Sequence, residues 1–302
     1  LKFLLFPNAW MLALCLTLLI LTQSLAAQAE DISLQQADGS VLLLNQPART
    51  IITLSPHLAE LAFAAGVGDR VVATVEYSNY PAQAAELPRV GDAFRLDLER
   101  ILSLQPDLVI AWESGNPAMA IARLQELGVT TWIVEIRQPE EIASTLEQLG
   151  AAGGQIQNGH LAAQRARSRL QEIAEAGTGK SKVRYFYQVA AQPLFTLNGH
   201  HLVSQSLALC GGENVFADEP VLAPQISLEA VILRDPAVLF AATVAGEPDP
   251  LAAWLEWPRM QAVKNQRLYH LSADEISRAT PRMLDAVATA CSLLHQQAKH
   301  IE

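Results

Sequence analysis

A segment of this chain occurs twice, at an offset of 130 residues. Leu98-Glu99-Arg100-Ile101-Leu102, continuing to Pro106-Asp107-Leu108-Val109-Ile110-Ala111, matches Leu228-Glu229-Ala230-Val231-Ile232, continuing to Pro236-Ala237-Val238-Leu239-Phe240-Ala241. In each copy a glutamate stands where a helix starts, a proline that a helix interior does not tolerate follows seven residues later, and an apolar run of buried-strand length comes next. Parallel strands need long crossover connections, usually helices, and those helices bury both sheet faces. Two copies of a helix-then-buried-strand unit therefore predict two related α/β lobes.

The rest of the chain repeats the alternation. Strands are expected at 50–54, 71–75, 108–112 and 131–135, with helices at 57–65, 98–104, 118–127 and after Pro139-Glu140-Glu141, where proline and acids suit a first turn. A second set follows: strand 183–189, helix 202–210, a helix from Leu228, strands 238–242 and 267–271, and a terminal helix 281–297. Asp38-Gly39 predicts a tight turn between strands at 32–37 and 41–44. Gln155 to Ala176 reads as one helix, with Ile156, Leu161, Leu170 and Ile173 near helical spacing and Gly177-Thr178-Gly179 ending it. The expected organisation is a leader at 1–29, an N-terminal α/β lobe at 30–153, an interlobe helix at 154–180 and a C-terminal α/β lobe at 181–302.

The leader reading rests on Lys2, an apolar run from Ala9 to Leu21 too short to span a bilayer comfortably, and Ala27-Gln28-Ala29 before Glu30, which fits signal cleavage near Ala29. An exported chain is expected. Removing the leader leaves 20 basic against 31 acidic residues, a net charge of −11, so nucleic acid is not an expected partner. Cleavage also discards Cys15 and leaves Cys210 and Cys291, which are predicted to pair in an oxidising compartment.

Catalytic patterns do not support an enzyme. Ala174-Glu175-Ala176-Gly177-Thr178-Gly179-Lys180-Ser181 fits a relaxed phosphate-loop pattern, but it ends a helix and precedes a strand, the reverse of what a phosphate site needs. The chain has no nucleophile elbow, no H-E-x-x-H and no Cys-x-x-Cys.

Arg49-Thr50-Ile51-Ile52-Thr53-Leu54-Ser55-Pro56, Glu60 to Gly66, Tyr77-Ser78-Asn79-Tyr80-Pro81, Leu98-Glu99-Arg100, Pro106 to Trp112, Cys210-Gly211-Gly212-Glu213-Asn214 and Arg278-Ala279-Thr280-Pro281-Arg282 together resemble the periplasmic cobalamin receptors of bacterial ABC importers. These belong to the helical-backbone, class III periplasmic binding proteins, which include haem and siderophore receptors. The resemblance implies two Rossmann-like lobes on one long helix, a ligand cleft between them and no intrinsic cofactor or metal. It also implies a transported corrinoid (cobalamin), or a haem or ferric siderophore as the alternative. Glu99 and Glu229 match the residues that dock on the membrane permease, which a monomeric receptor would approach. Tyr77 and Trp112 match ligand-stacking positions. Ala93, Val189 and Ala223 stand where the family has aromatics, with Phe94 and Tyr187 nearby. Further candidates for the cleft are His57 at the first strand–helix junction, His200-His201 before a second-lobe helix, and the polar Arg95, Asp274, Glu275 and Arg278, since neutral imidazole can bind cobalt or iron.

Overall fold

The structure, a computed structural model, describes residues 31–92 and 94–296; the expected leader at 1–29 and Ala93 lie outside them. Strands β1 (Ile32–Gln35) and β2 (Val41–Leu44) form the expected antiparallel hairpin. Gly39 turns it at φ 85°, a conformation that costs glycine nothing.

The first lobe is a parallel sheet of β3 (Ile51–Thr53), β4 (Val71–Ala73), β5 (Leu108–Trp112) and β6 (Thr131–Val134), ordered β4-β3-β5-β6. It carries helices α1 (Pro56–Ala64), α2 (Leu98–Ser103), α3 (Ala118–Glu126) and α4 (Glu141–Ala152). Helix α5 (Ile156–Gly177) has 22 residues, about 33 Å at 1.5 Å per residue, and leads into the second lobe. There β7 (Val183–Gln188) is followed by the two-residue strands β8 (Ala190–Ala191) and β9 (Leu194–Phe195), then α6 (Leu202–Leu209), β10 (Gly212–Asn214) and α7 (Leu228–Arg234). Strands β11 (Val238–Thr243) and β12 (Leu268–Ser272) and helix α8 (Pro281–Leu294) complete it. Its parallel sheet is ordered β10-β7-β11-β12. Counted within its own lobe, each sheet runs second, first, third, fourth strand, so the sequence repeat reflects a repeated topology.

The two copies agree in detail. Asp97 caps α2 by accepting from Arg100 N at 3.0 Å, and Ser227, 130 residues later, caps α7 by accepting from Ala230 N at 3.2 Å. Gln105 and Asp235, also 130 apart, take left-handed φ values of 46° and 41° just before Pro106 and Pro236. Each helix is therefore stopped by a left-handed turn and held stopped by proline, which starts the buried strand in the same place.

Two features depart from the sequence reading. Strand β10 lies in Gly-Glu-Asn, a turn-like composition, and pairs Gly212–Asn214 with Val183–Tyr185 at the sheet edge. The buried stripe of α5 is Gly159, Ala163, Ala166, Leu170 and Ile173, whereas Ile156 and Leu161 are exposed. Close packing on α4 selects small residues: a Cβ on Gly159 would come within 2.8 Å of Leu146 O and 2.9 Å of Gly150 Cα. Helix α5 also packs on α8. One continuous apolar cluster runs from Ile51 and Leu108 through Leu146, Ala163 and Leu170 to Tyr185, Phe240 and Cys291, so the lobes share a core along α5. Cys210, at the end of α6, is bonded to Cys291 of α8 across a separation of 81 residues, as expected. No helix among the described residues is long and apolar enough to cross a membrane.

Candidate functional site

Open parallel sheets bind ligands outside the carboxyl ends of their strands. Those ends of both sheets face one cavity of about 660 Å³. The first lobe lines it with residues at or beyond the ends of β3, β5 and β6: His57, Trp112, Glu113, Ser114 and residues 135–138. The second supplies residues 199–202 and Gln205 around the start of α6, Leu222, and Ser277 and Ala279 beyond β12.

The first wall is built around His57 and Trp112. Ser55 caps α1 by accepting from Leu58 N at 3.3 Å, and its Oγ lies 2.9 Å from His57 Nδ1. The imidazole meets Trp112 edge to face, with ring centroids 5.1 Å apart. Burial, aided by the positive charge of Arg278, lowers His57 to about 4, so it is neutral at pH 7. Trp112 Nε1 donates to Glu135 Oε1 at 3.3 Å, and Ser114 N donates to Glu135 Oε2 at 2.8 Å. Glu113 pairs with Arg137 at the same rim.

The second wall is a helix start. His201 caps α6 by accepting from Val203 N at its Nδ1, 3.2 Å away, and burial lowers it to about 4. His200 is exposed to the cavity; its N donates to Asn198 Oδ1 at 2.9 Å and its carbonyl accepts from Gln205 Nε2 at 2.7 Å. Gln205 Nε2 also donates across the cleft to Arg137 O at 2.8 Å.

Arg278 does something other than line the cavity. It is 8% exposed and donates to Asn79 Oδ1 at 2.6 Å, Tyr77 O at 3.1 Å and Asp274 Oδ1 at 2.8 Å, tying the second lobe to the loop after β4. Beside it lies Glu60, 2% exposed, which accepts from Thr280 Oγ1 at 2.7 Å and Arg282 Nη1 at 3.3 Å and approaches Arg278 to 3.8 Å. Burial raises the Glu60 carboxyl above its ordinary range despite both arginines. Asp274 and Glu275 complete this interlobe clasp, accepting from Asn79 and Arg282. The sequence reading assigned no role to Glu60, although a lone acid inside Leu58-Ala59-Glu60-Leu61-Ala62 signals a buried charge in need of partners.

The remaining candidates separate. Tyr187 is 3% exposed and packed in the core of the second lobe, because inward-facing positions of a sheet covered on both faces have no access to solvent. Tyr77 and Phe94 are 78% and 79% exposed in the segment after the edge strand β4 and lie outside the cavity lining. Arg95 is exposed nearby, and Val189 is exposed after β7. Glu99 and Glu229 are exposed in the first turns of α2 and α7, one on each lobe.

Two α/β lobes of matching topology, a shared core along one connecting helix and a cleft at the strand ends define a two-lobed ligand-binding protein. The chain belongs to the periplasmic binding protein family, which it matches over residues 51–275. Among its relatives is the vitamin B12-binding protein of Vibrio cholerae serotype O1, 41% identical over 256 residues that cover 84% of this chain and 92% of that protein. The vitamin B12-binding protein of Yersinia pestis is 37% identical over 247 residues, covering 82% and 86%. The crystal structure of the periplasmic vitamin B12 binding protein of Vibrio cholerae matches with a TM-score of 0.75, covering 82% of this chain and 97% of that one. A periplasmic heme-binding protein of Roseiflexus, at 23% identity and a TM-score of 0.72 over 82% of this chain and 98% of that one, shares the fold.

Proposed function

We propose that this protein captures cobalamin or a related corrinoid in the interlobe cleft of the periplasm and delivers it to the permease of an ABC importer. The observation that carries this reading is the 41% identity to the Vibrio cholerae vitamin B12-binding protein along nearly its whole length, combined with a cavity walled on one side by Trp112 and His57. Trp112 supplies the flat apolar face that a macrocycle stacks on, and the exposed rings of Tyr77 and Phe94 are available to a ligand that reaches beyond the cavity. Arg278 and Tyr187 support the walls and do not touch ligand. The chain reaches the periplasm by cleavage near Ala29 and is a monomer until it docks. Glu99 and Glu229 then meet cationic side chains of the permease; interfacial charge pairs couple by about 1.5–7 kcal/mol, far more than exposed pairs within one chain.

Calorimetry with cyanocobalamin, cobinamide and haemin tests the ligand. Corrinoid binding at micromolar or better is expected, and Trp112→Ala should weaken it roughly 30-fold, about 2 kcal/mol of lost apolar burial. Haemin binding without corrinoid binding would replace the proposal by the haem reading, which the exposed imidazole of His200 in the same cavity favours. The Glu99→Ala, Glu229→Ala double variant should keep its ligand affinity and lose uptake in cells; wild-type uptake would remove the docking role.

A further inference from the structure

Three imidazoles line the cleft, and burial together with hydrogen bonding sorts them. His201 Nδ1 accepts from Val203 N, so in its neutral form the proton sits on Nε2 and neither nitrogen has a free lone pair. His57 is 9% exposed, and its Nδ1 is engaged by Ser55 Oγ. The ring of His200 has no hydrogen-bond partner among the described residues, while its backbone is fixed on both sides, by Asn198 Oδ1 at the N–H and by Gln205 at the carbonyl. Gln205 is itself anchored to Arg137 O across the cleft. A free, solvent-facing imidazole on an immobilised backbone is preorganised to bind something in the cavity.

We infer that His200 supplies an axial imidazole nitrogen to the metal of the bound macrocycle, an inference that rests on the corrinoid reading. Among the described residues no group of three His, Cys, Asp or Glu side chains is placed to hold a bare cation. A chelated metal needs only one further ligand, and neutral imidazole suits cobalt and iron. The step is an exchange. The lone pair of a His200 ring nitrogen forms a bond to cobalt, the bond to one axial water breaks and that water leaves, with no change in oxidation state or proton count. The specificity that follows is for corrinoids whose axial position holds an exchangeable ligand over those whose axial positions are both blocked by cyanide.

The test uses aquocobinamide, with a labile axial water, and dicyanocobinamide, with none. Cyanocobalamin calorimetry is run alongside to test the corrinoid reading separately. Wild-type protein should shift the visible bands of aquocobinamide toward those of its imidazole adduct, and His200→Ala should abolish the shift. The affinity lost by His200→Ala should be at least tenfold greater for aquocobinamide than for dicyanocobinamide. Added imidazole should restore the bands in the His200→Ala complex. Aquocobinamide bound with the same spectrum by both proteins, or a shift lost in His57→Gln or His201→Gln and kept in His200→Ala, would overturn the inference while leaving the corrinoid reading intact. Failure of the wild-type protein to bind any of the three corrinoids would overturn both.

Discussion

Removing the Arg278 side chain should loosen the two lobes from each other. In Arg278→Ala the lobes lose the bonds to Asn79 Oδ1 at 2.6 Å and Tyr77 O at 3.1 Å. A hydrogen bond to a charged group contributes about 1.5–3 kcal/mol, so the pair amounts to about 3–6 kcal/mol. The bond from Asn79 Nδ2 to Asp274 at 2.8 Å survives, and the half-exposed Asp274 regains water, which places the expected loss near the lower end, about 3 kcal/mol. Glu60 then keeps only Arg282 and Thr280, and its carboxyl, already raised by burial, rises further. A carboxyl whose folded pKa is raised binds its proton more tightly in the folded state, so its contribution is present in acid and lost as pH rises through that value. His57 pushes the same way, because losing the Arg278 charge removes one of the causes that lower it. The variant should therefore lose more stability at pH 8 than at pH 5. Urea unfolding at both pH values, followed by tryptophan fluorescence and by circular dichroism so that separate lobe transitions are seen, measures the effect. A loss below about 1 kcal/mol at pH 8, or a greater loss at pH 5, would show that the clasp is a surface ion-pair cluster and not an interlobe tie.

Replacing both cysteines, Cys210→Ala with Cys291→Ala, removes a closed loop of 81 residues, worth about 4.5 kcal/mol in the chain-entropy relation. Urea denaturation of oxidised wild type against the double variant should show that loss, and a difference under about 1 kcal/mol would contradict it. His57 and His201 are both lowered by burial to about 4, so the unfolded chain binds more protons between that value and about 6.5. Their stabilisation is complete above about pH 6.5 and lost as pH falls toward 4, by about 3 kcal/mol for His57. Thermal unfolding from pH 7.5 to 4.5 should show the decline, and His57→Gln should flatten it; an unchanged slope in that variant would assign the decline elsewhere.

The sequence alone determined the architecture because its signals are local. A helix start with a glutamate, a proline seven residues on and an apolar strand can be read from neighbouring residues, and finding them twice at an offset of 130 established two lobes before any contact was known. The pairing of Cys210 with Cys291 was expected because they are the two cysteines that remain once the expected leader, with Cys15, is set aside. His57 was legible for a related reason: it stands where the first strand meets its helix, and strand ends face the cleft in this architecture. Trp112 was singled out by the resemblance of its motif to the family, and it lines the same cavity. What the sequence did not carry was the direction of side chains whose environment comes from distant segments. Tyr187 and Arg278 differ little in sequence from ligand-facing residues, yet the helices covering the second sheet bury the first, and the loop after β4, 199–201 residues away, captures the second. The same holds for the small-residue stripe of α5, set by the approach of α4, and for the three imidazoles of the cleft. Their residue type is in the sequence, but which ring nitrogen is free depends on hydrogen bonds that only the folded chain makes.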